Sequence, residues 1–302
     1  MLSAVLKEVT GVLDRRFLMT VFFPSLIFWG LLILLIVSTQ GDILQTAEKW
    51  NEQESFLKTL QIIGFIAWVM FFANIVSNQL PAILRFYEGY WNFPLGRYFQ
   101  TIGKKRHQKY LQQLTEELDK DPRCYEEIYL AYPLPSQSEQ VMPTRLGNIL
   151  KNAELYPKDR YRIDAVLIWP RLYYLLPERF IQTFAEARGA LDFMLVISSL
   201  SGAFALISAG YLLYVRGPMQ LFFFCIPGGL FIAWLAYKGA IDGALLYAQQ
   251  IKVAFDLYRN DLLKQMNMPL PATPAEEKER WNEVVLFLYR NVPGLWTYRD
   301  ET

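Results

Sequence analysis

Two cysteines and one histidine are all that this 302-residue chain offers to disulfides and soft metals. Cys124 lies in a polar stretch and Cys225 in an apolar one, which excludes a disulfide framework and a CxxC site. With His107 standing alone, the paired ligands of a zinc site are missing too. An excess of either charge is also lacking. The 30 Lys and Arg residues against 29 Asp and Glu leave a net charge of +1, which argues against nucleic acid as the main partner. The HExxH, GxSxG and Walker patterns do not occur; the segment from Gly96 to Lys104 has glycines and a lysine at the wrong spacing for the last. Neither internal repeats nor low-complexity tracts are present, and no cofactor is expected.

Long apolar runs are what the chain has instead, and 53% of it is hydrophobic. The run 17–38 carries no charge. It exceeds the roughly 20 residues needed to cross ~30 Å of hydrocarbon. It is also too long for the apolar region of a cleaved signal peptide, which is about 7–15 residues. Further runs cover 60–79, 191–215 and 219–241, and only Arg216, Gly217 and Pro218 separate the last two. The expected fold is an all-α integral membrane protein, with four transmembrane helices in two hairpins and a helical cytoplasmic layer. Its parts are an amphipathic helix over 1–16, a first hairpin over 17–90 and a cytoplasmic domain over 91–177. A second hairpin with long cytoplasmic extensions follows over 178–268, then a cytoplasmic C-terminal helix over 269–302. Lys and Arg are concentrated before the first run, in the long middle segment and after the fourth run. The other connections hold only Lys49, Lys58 and Arg216. By the positive-inside rule both termini and the middle segment are cytoplasmic. The membrane is a prokaryotic plasma membrane or an internal one.

Local signals refine this plan. Phe86, Tyr87, Tyr90, Trp91 and Phe93 cluster where the chain leaves the bilayer, where half-wet aromatic rings are favoured. A solvated helix over 103–121 carries a stripe of Leu111, Leu114 and Leu118. An irregular connection is expected over 122–143. Thr144 opens a helix that Pro157 stops. The apolar run 165–176, broken by Pro170, is too short to span and reads as buried core or an interfacial dip. One helix should cover 178–215, and the fourth span should overshoot through Ile251, Phe255 and Leu262 to end before Pro269. Thr273, Pro274 and Glu276 then open a last helix.

Candidate sites are sparse. In 142–180, prolines set corners, Arg145, Arg162 and Arg171 can pair with carboxylates or phosphates, and Trp169, Tyr173 and Tyr174 suit an interface. The segment reads as a collar where protein meets membrane. Alternatively Arg145, Asn148, Asp164 and Arg171 line a pocket for an anionic ligand, with Trp169 beside them. Lys104, Lys105, Arg106 and Lys109 are candidate contacts to lipid headgroups, each cation adding about 1 kcal/mol near an anionic surface. The bland reading of that cluster is a solvated helix start. Asp192 and Asp242 read either as an ion site or as interfacial residues paired with Arg188 and Lys238, four residues before each. No charge lies deep in a span, which disfavours an ion-coupled transporter. Asn74 is a candidate pore residue and Gly228–Gly229 a candidate hinge. Repeats of small residues such as Ser201, Ala205 and Ala209 suit close helix packing or subunit contact.

The motifs PTRLGN, RYRIDAV and WPRL at 143–172, together with FYEGYW at 86–91, resemble an uncharacterised group of bacterial membrane proteins. There a segment of the form PTRLGN…AE…YP…RY…D…WPRL…LP lies between hydrophobic hairpins. The resemblance implies that architecture and carries no activity. The expected function is a non-enzymatic, self-assembling scaffold or assembly partner: a homo-oligomer in the lipid bilayer that meets a protein partner through its cytoplasmic collar. The alternatives are a homo-oligomeric ion channel and a membrane-bound enzyme acting on lipid or phosphate groups.

Overall fold

The computed structural model describes residues 15–41, 43–292 and 294. The amphipathic helix expected over 1–16 falls almost wholly outside them. The described residues form helices and connections without strands. They are α1 (Arg15–Gln40), α2 (Ile43–Glu52), α3 (Ser55–Asn78), α4 (Leu80–Glu88), α5 (Pro94–Glu116), α6 (Arg123–Ala131), α7 (Arg145–Tyr161), α8 (Ala165–Tyr173), α9 (Glu178–Val215), α10 (Met219–Gln265) and α11 (Pro274–Arg290), with a 3₁₀ turn over Pro135–Gln140. Helices α1, α3, α9 and α10 are long and apolar enough to cross a membrane.

Several local outcomes differ from the sequence reading or add to it. Pro24 offers no N–H to the carbonyl one turn back, and the helix accommodates this with a π turn over Leu18–Phe22. The connection expected to be irregular over 122–143 contains α6 and the 3₁₀ turn, whose buried Cys124, Ile128 and Ala131 supply a packing face. Pro157 does not stop α7, which runs on to Tyr161 and ends at Arg162 in the left-handed region. Pro170 lies inside α8, and the carbonyl it leaves without a donor belongs to the exposed Val166. Segment 43–52, read only as connection, is helical.

Other expectations hold. Thr144 Oγ1 accepts the Gly147 N–H at 2.9 Å, and Thr273 Oγ1 accepts that of Glu276 at 3.2 Å. Both are N-caps, each satisfying a backbone donor that a helix start leaves over. The long helices α9 and α10 match the expected runs closely.

The chain divides into two compact units. One comprises Met1–Arg85 and Gly189–Ala240, the other Phe86–Arg188 and Ile241–Thr302. In the first, Val21, Phe28, Leu32, Ala73, Val196 and Leu200 form the buried centre. Phe28 stacks on Phe72 at 5.8 Å, and Trp29 meets Trp68 edge-on at 5.3 Å. The outward faces are equally apolar, with Ile27, Phe71, Leu206 and Phe224 exposed, as expected of helices hydrophobic all round. Small residues bring α9 and α10 together: a Cβ on Gly229 would lie 3.0 Å from both the Ala205 Cβ and the Ser201 carbonyl oxygen. Ser198 Oγ donates to the Ala233 carbonyl at 2.9 Å. Pro227, Gly228 and Gly229 all lie within α10, where Gly229 serves the packing against α9. In the second unit, Ile163, Ile168, Leu172 and Leu176 pack with Phe255, Leu262 and Leu263 of α10 and with Trp281 and Val284 of α11. One face of the run 165–176 is therefore buried core, while Val166 and Tyr174 stay exposed.

Gly229→Leu should force α9 and α10 apart. The expected cost is about 1–3 kcal/mol of overpacking, read as a lower unfolding midpoint in detergent micelles, while Gly228→Ala, with nothing within 4 Å of its added Cβ, stays near wild type.

Candidate functional site

The residues singled out between 142 and 180 turn inward and are engaged locally. Asn148 is fully buried; its Nδ2 donates to the carbonyls of Met142 (2.9 Å) and Thr144 (2.8 Å), and its Oδ1 accepts the Met142 N–H at 2.7 Å. That amide clips its own loop and has no donor left for a ligand. Arg145 pairs with Glu127 of α6 at 3.1 Å. Asp164 caps α8, accepting the Leu167 N–H at 3.0 Å. Arg171 donates to the Leu167 carbonyl at 2.8 Å from an exposed position. Trp169 is half-buried, with ring centroids 5.1 Å from Phe184 and 5.9 Å from Phe255. Each of these five is thus engaged in a local contact within the second unit.

The two resemblance motifs meet each other. Thr144 Oγ1 donates to the Tyr87 carbonyl at 2.7 Å. A Cβ on Gly147 would overlap the Glu88 carbonyl oxygen, and one on Gly89, whose φ is +97°, would overlap the Pro143 ring. Only glycine permits that approach at both places. Gly103 of α5 closes on Pro143 in the same way.

A second buried array was not read from the sequence. Lys252 of α10 is 1% exposed. Its Nζ donates to the Tyr129 carbonyl at 2.5 Å and stands 4.3 Å from the Tyr129 ring and 5.4 Å from that of Tyr156. One turn on, Asp256 accepts hydrogen bonds from Tyr156 (2.9 Å) and Tyr161 (2.6 Å). One turn further, Arg259 lies 4.0 Å from the Tyr161 ring and pairs with Glu277 of α11 at 2.8 Å. Lys252, Asp256 and Arg259 thus make a polar rail along α10, onto which α6, α7 and α11 dock. The signal was present: Lys252 and Arg259 interrupt the apolar face of Ala248, Phe255 and Leu262 at helical spacing.

Burial sets the electrostatics. It brings the Lys252 ammonium down from 10.5 to about 8, helped by Arg160 and opposed by Asp256. Burial, and then hydrogen bonding to Asp256, raises Tyr156 and pushes Tyr161 up to about 12. His107, whose Nδ1 lies 2.8 Å from the Tyr132 hydroxyl, is lowered by burial and then by Arg106 and Arg145. A lysine amine of pKa near 8 is a base and a nucleophile, but this one is sealed beneath two tyrosines and acts as a strut.

The remaining candidates are placed as follows. Lys104, Lys105, Arg106 and Lys109 all lie on α5. Lys105 and Lys109 border an open groove of ≈ 600 Å³ between α5 and the 3₁₀ turn. Asn74 is exposed on α3, its Nδ2 donating to the Met70 carbonyl at 2.9 Å. The buried Asp192 pairs with Arg16 of α1 at 3.3 Å, and the Arg188 guanidinium lies 5.4 Å from the Tyr247 ring. Among the described residues no His, Cys, Asp and Glu cluster could hold a metal ion. No family model, curated protein or solved structure matches the chain.

Because the folded lysine loses its proton near pH 8 and the unfolded one near 10.5, the unfolded chain binds more protons between these values and stability rises with pH. Above about 10 the raised tyrosines reverse the trend. Stability relative to Lys252→Met should rise by about 2 kcal/mol between pH 8 and 10, measured by chemical denaturation. A difference that is flat or falls with pH contradicts the assignment.

Proposed function

We propose that this chain is a non-enzymatic, self-assembling integral membrane scaffold or assembly partner. Helices α1 and α3 form one membrane hairpin, α9 and α10 a second, and the second unit lies in the cytoplasm as the interaction layer. The concentration of Lys and Arg in the second unit supports that side. The observation that carries the reading is the use of the collar's polar residues. They tie segments of the second unit to one another, while α8 turns an apolar stripe outward. Val166 is 70% and Tyr174 88% exposed, Pro170 lies one turn from each, and Arg171 stands beside them. Residues at this spacing share one helix face. An aromatic ring flanked by an arginine is the composition of an interface anchor. The partner surface is accordingly Val166, Pro170, Arg171 and Tyr174, with Trp169 holding α8 from behind.

A homo-oligomeric ion channel is the second reading, and Asn74 favours it. A polar side chain on the outward face of a span is better satisfied against a second copy than against lipid.

Replacing Val166 with Asp and Tyr174 with Ala should abolish recovery of cytoplasmic partners in pull-downs from native membranes, without loss of insertion. Trp169→Ala should instead destabilise the second unit by about 3 kcal/mol. Partner recovery equal to wild type in the Val166 and Tyr174 double variant contradicts the scaffold surface.

A further inference from the structure

Helix α5 has two unlike faces. Gly96, Gln100, Gly103, His107, Leu111 and Leu114 recur at helical spacing and turn into the second unit. Gly103 closes on Pro143, and Gln100 Nε2 donates to the Gly89 carbonyl at 2.6 Å. The opposite side changes character along its length. In the first turns it exposes Leu95 (70%), Tyr98 (64%), Phe99 (56%) and Ile102 (47%). This i, i+3, i+4, i+7 stripe holds large side chains that the helix does not need for its own packing. In the following turns the same side presents the exposed Lys105 and Lys109, three and seven residues beyond Ile102, with Arg106 exposed next to them.

We propose that this side of α5 lies in the interfacial layer of an anionic phospholipid bilayer. Leu95, Tyr98, Phe99 and Ile102 enter the acyl boundary, and Lys105, Arg106 and Lys109 hold headgroup phosphates. Three observations select lipid over a protein partner. The apolar and cationic residues are separated along the helix, as an apolar layer bordered by anionic phosphates requires. The apolar part is rich in aromatic rings, which half-wet layers favour. The chain arrives at α5 directly from the span α3 through α4 alone, and α4 also exposes Phe86. Beside the cations, the groove between α5 and the 3₁₀ turn offers Gln108, Gln112, Thr115 and Ser138 as further polar contacts. Gln108 Nε2, bonded to the Ser138 carbonyl at 3.0 Å, fixes the two walls to each other. The proposal goes beyond the scaffold reading: it assigns α5 to lipid and leaves α8 to the protein partner.

The test uses the full-length chain with the photoreactive residue benzoylphenylalanine replacing Phe99. The protein is reconstituted in nanodiscs of phosphatidylcholine, or of phosphatidylcholine with phosphatidylglycerol, and irradiated. Mass spectrometry should find a one-phospholipid adduct at position 99. In the mixed discs phosphatidylglycerol should exceed its molar share severalfold, since each cation near an anionic surface favours it by about fivefold. Lys105→Gln with Lys109→Gln should bring the adduct back toward the molar share while labelling itself persists. The same probe at Leu206, 73% exposed on the span α9, establishes that lipid is captured efficiently. A crosslink from position 99 to a second copy or to the chain's own residues would overturn the proposal. So would no adduct at 99 while 206 labels. Phosphatidylglycerol at its molar share with the wild-type lysines would overturn the headgroup assignment.

Discussion

The second unit depends on a backbone approach that only glycine allows. Gly147, in the first turn of α7, packs directly on the Glu88 carbonyl at the end of α4, and Gly89 and Gly103 both close on Pro143. The N-cap of α7 adds a hydrogen bond to the neighbouring carbonyl of Tyr87. Once that clasp is closed, the direction of α7 is set. Tyr156 and Tyr161 then project from α7 toward Asp256, and the α7 to α8 turn delivers Ile163, Ile168 and Leu172 to the core. Close packing of this kind tolerates little added volume, because interiors have few voids to absorb it.

The polar rail on α10 does a complementary job. An apolar stripe on a long helix can bind a partner helix in several registers, since one leucine resembles the next. Lys252, Asp256 and Arg259 meet particular tyrosines and one particular glutamate, so a slip of one turn would leave buried charge without its partner. Burial of Lys252 costs stability, as its lowered pKa records, and the return is one fixed docking of α6, α7 and α11. The outward residues of the same unit divide by chemistry. The face of α8 pairs an aromatic ring with a cation, while the face of α5 separates apolar from cationic residues along the helix.

The long elements were legible because length and hydropathy determine them without tertiary information: α1, α3, α9 and α10 fall where the apolar runs lie. The caps at Thr144 and Thr273 were legible for the same reason, being local hydrogen bonds. Pro157 and Pro170 misled because their local penalty is offset by packing that involves distant residues. The Arg16 partner of Asp192 was not legible, because it comes from another helix. The local roles of the candidate ligand residues were not legible. Residue type marked Asn148 and Asp164 as ligand groups, but only the path of the backbone shows that Asn148 clips its own loop and Asp164 caps a helix. The spacing of the rail is visible in the sequence, but its partners Tyr129, Tyr156, Tyr161 and Glu277 come from distant segments that no local pattern identifies.

The two motifs bind each other, which makes the collar a structural clasp and a platform for exposed faces. Gly147→Ala tests it most directly, as an added methyl there must displace the Glu88 carbonyl. The stability of the purified variant in equilibrium unfolding should fall well below wild type, and the backbone amides of Met142 and Gly147 should lose their protection from hydrogen exchange. Wild-type unfolding and unchanged protection at both amides would contradict it.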